Sequence, residues 1–242
     1  MRHQRFTSER TRGSVSLSRL EPKFLSLLFA ILVFLLVYPF FESHRFARSI
    51  LGISFTVVLV IVAYAASETR RRTRVTWLLV PALAGNAVAS VERTGPPGMY
   101  GEAFVLLFLL YSVKMLIEFA FKQKRVSSDT IAAALCAYLL VGLAWAMAFA
   151  ILETAVPGSI SFGSRPHVEP LISRCLYFSY VTLTTLGYGD VTPQSGPAGS
   201  LAFVEALTGQ LFMAVLVARL VAIQTSQRFR DEDKGDRGDA GQ

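Results

Sequence analysis

The stretch that decides the fold reads Thr184-Thr185-Leu186-Gly187-Tyr188-Gly189-Asp190. It follows a partly apolar stretch, 170–184, whose fifteen residues would form a helix about 22 Å long. Such a helix enters a bilayer without crossing it, because the hydrocarbon core is about 30 Å thick. Glycine reaches backbone angles that other residues avoid, so the motif predicts an irregular backbone turn at membrane depth.

The composition of the chain indicates a membrane protein. Of its 242 residues, 52% are hydrophobic and 17% are charged. Soluble domains carry about a quarter charged residues, and here the charges are concentrated in short blocks between long uncharged runs. This distribution excludes a soluble enzyme, a disordered chain and a disulfide scaffold. It predicts an all-α membrane protein.

Six apolar runs are candidate transmembrane helices, because each has about the length that a bilayer core requires. They cover residues 24–41, 50–66, 75–91, 103–121, 131–152 and 201–223. A turn rich in Gly and Pro, 92–102, is predicted between the third and fourth runs. The organisation expected from these runs is a basic segment 1–23, a four-helix domain 24–121, a second domain 130–223 and a hydrophilic tail 224–242.

The positions of Lys and Arg predict the orientation of the chain. Placing the N-terminus in the cytoplasm puts seventeen of them in cytoplasmic segments and five outside, with two inside the spans. Basic residues favour the cytoplasmic side and meet anionic lipid head groups there. Both termini are therefore expected in the cytoplasm and residues 153–200 outside. In this setting the excess of positive charge indicates lipid rather than nucleic acid as the partner.

Irregular backbone at membrane depth has few tolerable environments, because its carbonyl groups would be unpaired in lipid. It must be buried in protein or line a water-filled path. A stack of carbonyl oxygens facing an axis can replace the water shell of an ion. The motif therefore predicts ion coordination by backbone oxygens.

The motif resembles the signature of potassium channels. The resemblance extends in layout to residues 131–223, which repeat the family's order of outer helix, re-entrant pore helix, selectivity filter and inner helix. Leu186 departs from the family pattern, in which Val or Ile is commoner. That position contributes its carbonyl, so the change of side chain has little consequence for the expected filter.

The resemblance implies a role for each of several residues. The expected K⁺ ligands are the carbonyls of Thr185, Leu186, Gly187 and Tyr188, together with the Thr185 hydroxyl. Gly189 continues the filter to its outer mouth, which Asp190 completes. Tyr177, Phe178 and Thr184 would support the filter. Gly209 falls at the family's hinge position, and Glu205 lies one turn before it as a candidate gating or filter-supporting residue.

Plainer interpretations stand beside these roles. Tyr177 and Phe178 are also typical of aromatic residues at a membrane interface. Gly209 could serve only close helix packing, and Glu205 could reach water from a helix end. Val181 stands where some family members carry a Glu that pairs with the Asp, so that partnership is not expected for Asp190.

The first four runs lack the pattern of a voltage sensor, in which basic residues recur at every third position. The fourth run contains only Lys114, which we expect to pair with Glu118 one turn later. The basic residues of 70–74 are nearly contiguous and indicate a topogenic and lipid-contact role. Steep voltage gating is therefore not expected.

The predicted function is passive, potassium-selective conduction in the cell membrane, with K⁺ as the permeant ion and neither a cofactor nor enzymatic chemistry. One chain supplies one filter strand and the family's pore needs four, so a homotetramer is implied. Two alternatives remain open. One is a weakly selective cation pore, which an altered residue at Tyr188 would favour; the other is a non-conducting or auxiliary subunit that retains the pore layout.

Overall fold

The computed structural model describes residues 23–37, 80, 96–123, 127–163 and 170–239. The helices defined within these ranges are α1 (Lys23–Val37), α2 (Pro96–Lys122), α3 (Ser128–Ala155), α4 (Leu171–Leu183) and α5 (Gly196–Asp239). Two short strands, β1 (Ile160–Ser161) and β2 (Thr192–Pro193), form an antiparallel pair. The described part of the chain is therefore mostly helical.

Three of the described helices are long and apolar enough to cross a membrane: Tyr100–Lys122 of α2, Ser128–Ala155 of α3 and Gly196–Ser226 of α5. They contain the predicted spans 103–121, 131–152 and 201–223. Helix α1 covers fourteen residues of the predicted span 24–41, whose last four residues lie outside the described ranges. The predicted spans 50–66 and 75–91 also lie outside them, apart from Val80. The described ranges thus carry three of the six predicted crossings.

Helix α2 begins earlier than the sequence predicted. The expected turn at 92–102 is wrong in its second half, because residues from Pro96 onward are helical. Proline is accepted in the first turn of a helix, where its missing N–H has no intrahelical partner to lose and its φ angle already suits the helix. The pair Pro96-Pro97 therefore starts this helix.

Helices α1 and α2 share one hydrophobic core with α3. The centre of this core contains the fully buried Leu27, Ile31, Phe108 and Leu140. Helix α3 contributes many alanines to it, and small residues let helix backbones approach closely. Helices α1 and α2 of the predicted domain 24–121 thus pack directly against α3 of the predicted domain 130–223.

The N-termini of α1 and α3 are held by side-chain acceptors. Ser127 caps α3, since its hydroxyl accepts a hydrogen bond from Thr130 N at 3.2 Å. Asp129 Oδ1 accepts one from Phe24 N at 3.0 Å, which places a carboxylate at the positive end of α1. The start of the first helix is therefore attached to the start of α3.

The loop after α3 is organised by Glu153. Its two carboxylate oxygens accept hydrogen bonds from Gly158 N at 2.8 Å and Ile160 N at 2.9 Å. Strand β1 then pairs with β2, with Ile160 opposite Pro193, and Ser159 O accepts a hydrogen bond from Gln194 N at 2.8 Å. The chain between α4 and α5 is thereby attached to the C-terminal end of α3.

Helix α4 is the short helix that the sequence predicted over 170–184. Its thirteen residues span about 20 Å, too little to cross a bilayer core. It packs between α3 and α5, which continues as one helix through Gly209. The seven-residue motif, 184–190, connects the end of α4 to β2.

Candidate functional site: the segment after α4

The backbone of the motif alternates in the sign of φ. Thr185, Gly187 and Gly189 have φ values of +57°, +54° and +79°, and Thr185 alone among the described non-glycine residues has a positive φ. Leu186 and Tyr188 therefore have negative φ. A backbone that alternates in this way can present successive carbonyl oxygens on one side, and the two glycines supply the left-handed conformations without steric cost.

The N–H groups at the start of the motif point back to α4. Thr185 N donates to Thr182 O at 2.9 Å, and Leu186 N and Gly187 N both donate to Val181 O, at 2.9 and 3.3 Å. In a trans peptide the carbonyl of one residue points opposite to the N–H of the next. The carbonyls of Thr184, Thr185 and Leu186 therefore point away from α4.

The residues that carry these carbonyls are exposed in the single chain. Every residue from Thr184 to Asp190 is exposed, including 53% of Leu186 and 67% of Tyr188. The motif thus lies at the surface of one copy. Carbonyl oxygens and the Thr185 hydroxyl are hard ligands of the kind that alkali and alkaline-earth cations prefer.

The two aromatic residues predicted to support the filter differ in burial. Phe178 is 4% exposed and packs edge-on against Phe149 of α3, with ring centroids 4.8 Å apart. Tyr177 is half-buried beside the same cluster. Phe178 also lines a cavity of about 310 Å³ behind the motif, together with Val181, Thr185 and Ala206. Phe178 therefore lies between α3 and the back of the motif.

Glu205 lies in the protein interior. It is completely buried on α5, and its Oε1 lies 2.5 Å from the hydroxyl oxygen of Ser179 on α4. The same hydroxyl lies 2.7 Å from Gly142 O of α3. Glu205 Oε2 is buried and has no hydrogen-bond partner among the described residues. A polar chain through Ser179 thus joins the three helices around the motif, and Ser179 is a member that the sequence analysis did not single out.

Gly209 is a point of close approach between α5 and α4. A Cβ at this position would overlap with the carbonyl oxygen of Leu183, the last residue of α4. The same oxygen accepts a hydrogen bond from Tyr138 Oη of α3 at 3.4 Å. The geometry accounts for a glycine at 209 through packing, and the hinge role stays a prediction.

Gln210, the next residue along α5, reaches the motif. Its Nε2 donates a hydrogen bond to Thr185 Oγ1 at 3.1 Å. This residue was not predictable from the sequence, since a glutamine in an apolar helix has no recognisable motif. Residues 205–210 of α5 therefore contact α4 through Glu205 and Gly209, and they contact the motif through Gln210.

The structure gives Glu118 of α2 an ion pair that the sequence did not predict. Glu118 contacts Lys122, with Oε2 and Nζ 3.5 Å apart. Lys114 is exposed, and its pairing with Glu118 stays a prediction. Arg219 of α5 donates to the carbonyl of Phe121 and stacks on its ring at 4.5 Å. Glu118 and Arg219 therefore both bind groups in the last turn of α2.

Comparison with known proteins finds a family that matches the part of the chain containing the motif. The sequence model of the family described as "Ion channel" matches residues 137–225, from α3 through the motif into α5. Protein LctB of Bacillus caldotenax is 37% identical over 102 residues, which are 40% of this chain and 74% of that protein. Protein LctB of Geobacillus stearothermophilus is 36% identical over 104 residues, with the same two shares.

A plant channel is also similar to the chain. The two pore potassium channel c of Oryza sativa subsp. japonica is 34% identical over 85 residues, which are 35% of this chain and 18% of that protein. The matched domain, these relatives and the apolar helices define a class, that of membrane proteins with an ion-channel domain. The chain is a relative of protein LctB, and its residues 137–225 form a domain of the ion channel family.

Proposed function

We propose that the chain is a potassium-selective channel in which carbonyls of Thr185, Leu186, Gly187 and Tyr188, with the Thr185 hydroxyl, coordinate K⁺. The observation that carries the proposal is the bonding of the N–H groups of residues 185–187 back to α4. This bonding turns the carbonyls of Thr184, Thr185 and Leu186 to the opposite side, where they can replace the water shell of an ion. For Gly187 and Tyr188 the support is the alternating sign of φ, which continues through Gly189. Conduction is passive, and no covalent step is involved.

Potassium is proposed as the ion for two reasons. The motif Thr185–Gly189 resembles the potassium-channel signature, with a tyrosine rather than an acidic residue at 188. In addition, one relative bears the name of a potassium channel, and its similarity covers a third of this chain. Both arguments favour K⁺ over a weakly selective cation pathway.

Four copies are proposed to surround the ion path. One chain supplies one row of oxygens, and the residues that carry them are exposed in the single copy. Helix α5 likewise exposes large apolar side chains, such as Phe203 at 64% and Leu211 at 62%. A closed rotational arrangement would bring four rows together and cover part of this surface.

The proposed location is the cell membrane, with both termini in the cytoplasm. The support is the seventeen-to-five distribution of basic residues, which favours this orientation. The basic blocks would then contact anionic head groups of the inner leaflet.

The test compares two left-handed glycines in purified protein reconstituted into liposomes. Gly187 and Gly158 have φ values of +54° and +83°, and an added Cβ meets nothing within 4 Å at either position. Alanine at each therefore incurs a similar backbone strain of about 1–2 kcal/mol. Only Gly187 belongs to the proposed filter.

We expect Gly187→Ala to abolish rubidium flux while Gly158→Ala retains it, with both proteins assembled. Flux of rubidium or potassium in the unaltered protein should exceed that of sodium. Selective flux in a well-assembled Gly187→Ala protein would remove the filter assignment. An assembled wild-type protein that carries no flux would identify a non-conducting subunit instead.

A further inference from the structure

The side chain of Gln210 bonds to the residue that begins the proposed filter. Its Nε2 lies 3.1 Å from Thr185 Oγ1, although the two residues are on different elements. The approach depends on Gly209, which lets α5 lie directly against the end of α4. The contact is therefore made where the backbones of α5 and α4 are closest.

Thr185 needs such a contact for a conformational reason. It is β-branched and has a φ of +57°, a left-handed conformation that such residues rarely adopt. Strained conformations persist where neighbouring groups hold them in place. Thr185 is held by its N–H bond to Thr182 O and by the bond from Gln210.

The bond also determines how the hydroxyl can serve an ion. A threonine hydroxyl oxygen has two lone pairs and one proton. When Gln210 donates to one lone pair, rotation about the Cα–Cβ bond is restricted and the second lone pair keeps one direction. A ligand oxygen with a fixed direction binds a cation better than a freely rotating one, because less order is lost on binding.

We propose that Gln210 is a positioning residue for the innermost ion site, which it maintains by holding the Thr185 hydroxyl. This inference rests on the proposed function, since it assumes that Thr185 is an ion ligand. Gln210 itself acts through Thr185.

The experiment measures the K⁺ concentration that gives half of the K⁺-dependent thermal stabilisation of the purified, assembled protein, with Na⁺ keeping the ionic strength constant. Gln210→Met removes the donor and preserves the size of the side chain. Gln210→Asn keeps the amide but shortens its reach. Gln224→Met is the matched control, because Gln224 is an exposed glutamine farther along the same helix.

We expect Gln210→Met and Gln210→Asn to raise the half-stabilising K⁺ concentration about three- to tenfold, the equivalent of one hydrogen bond. Gln224→Met should leave it unchanged. If one Gln210 variant fails to assemble, the other supplies the measurement. An unchanged half-stabilising concentration would overturn the proposal.

A double-mutant cycle separates positioning from packing. Thr185→Val keeps the branched shape and removes the hydroxyl, so Gln210→Met should cause no further shift in that background. An equal shift in both backgrounds would assign Gln210 a packing role and overturn the proposal. A wild-type protein that shows neither K⁺-dependent stabilisation nor rubidium flux would overturn the proposed function itself, and this inference with it.

Discussion

At the scale of single residues, the contact between Ser179 and Glu205 raises a question of proton count. The Ser179 hydroxyl has one proton and lies within hydrogen-bond distance of two oxygens, Glu205 Oε1 at 2.5 Å and Gly142 O at 2.7 Å. An ionised carboxylate would compete with the carbonyl for that proton. A protonated Glu205 instead donates to Ser179, and Ser179 donates to Gly142. The neutral form therefore satisfies the chain of hydrogen bonds.

This proton count predicts that Glu205→Gln is tolerated. The glutamine amide can donate to Ser179 as the protonated carboxyl does. The unfolding temperature of the purified Glu205→Gln protein should therefore stay near that of the wild type. Glu205→Ala leaves a cavity beside α4, and Ser179→Ala leaves the carboxyl without its partner. Each should cost about 1–3 kcal/mol.

The comparison of Glu205→Gln with Glu205→Ala is the decisive part of this measurement. If both variants lower the unfolding temperature equally, the ionised carboxylate is needed and the neutral chain of hydrogen bonds is wrong. Thr208→Ala provides a control on the same helix, since the Thr208 hydroxyl bonds only to Val204 O within its own helix among the described contacts.

At the scale of elements, α2 is packed as a fixed helix and lacks the features of a mobile voltage sensor. Its buried side chains Phe108, Leu109 and Leu116 pack into the core shared with α1 and α3. Its charged side chains are few, and Glu118 contacts Lys122. A helix anchored in this way and poor in charge gives the membrane field little to act on.

We therefore predict that opening depends weakly on voltage. Moving one elementary charge through 100 mV supplies about 2.3 kcal/mol, and steep gating needs about three or four such charges per subunit. Recordings from reconstituted protein should give an equivalent of about one charge per subunit or less. A conductance that rises tenfold within a few millivolts would contradict this prediction.

The elements also indicate what the sequence can predict. Spans 131–152 and 201–223 and the short helix at 170–184 were predictable, because length and uninterrupted apolar character are local properties of the chain. The contacts of Ser179 with Glu205 and of Gln210 with Thr185 were not. They depend on the rotation of α5 about its axis relative to α4, and no local pattern encodes that angle. The start of α2 at Pro96 was missed because Gly and Pro are typical of turns as well as of helix starts.

At the scale of the whole molecule, the orientation is testable at the loop between α4 and α5. Gln194 follows β2 and is exposed, whereas Ser159 beside it is 1% exposed. In a background without Cys136 and Cys175, Gln194→Cys should react with an impermeant thiol reagent added outside intact cells. Ser159→Cys should react far more slowly, which controls for accessibility. Labelling of Gln194→Cys only after the membrane is opened would reverse the proposed orientation.

The carbonyls of residues 184–186, which point away from α4, have a genetic consequence. Because one chain supplies only one of the four rows of oxygens, each ion path in the proposed tetramer depends on every subunit. A single defective copy should therefore disable three normal neighbours. Co-expression of equal amounts of wild-type and Gly187→Ala chains should leave about one-sixteenth of the flux, if assembly is random. Such an allele would behave as a dominant one, and a residual flux near one half would mean that each chain conducts by itself.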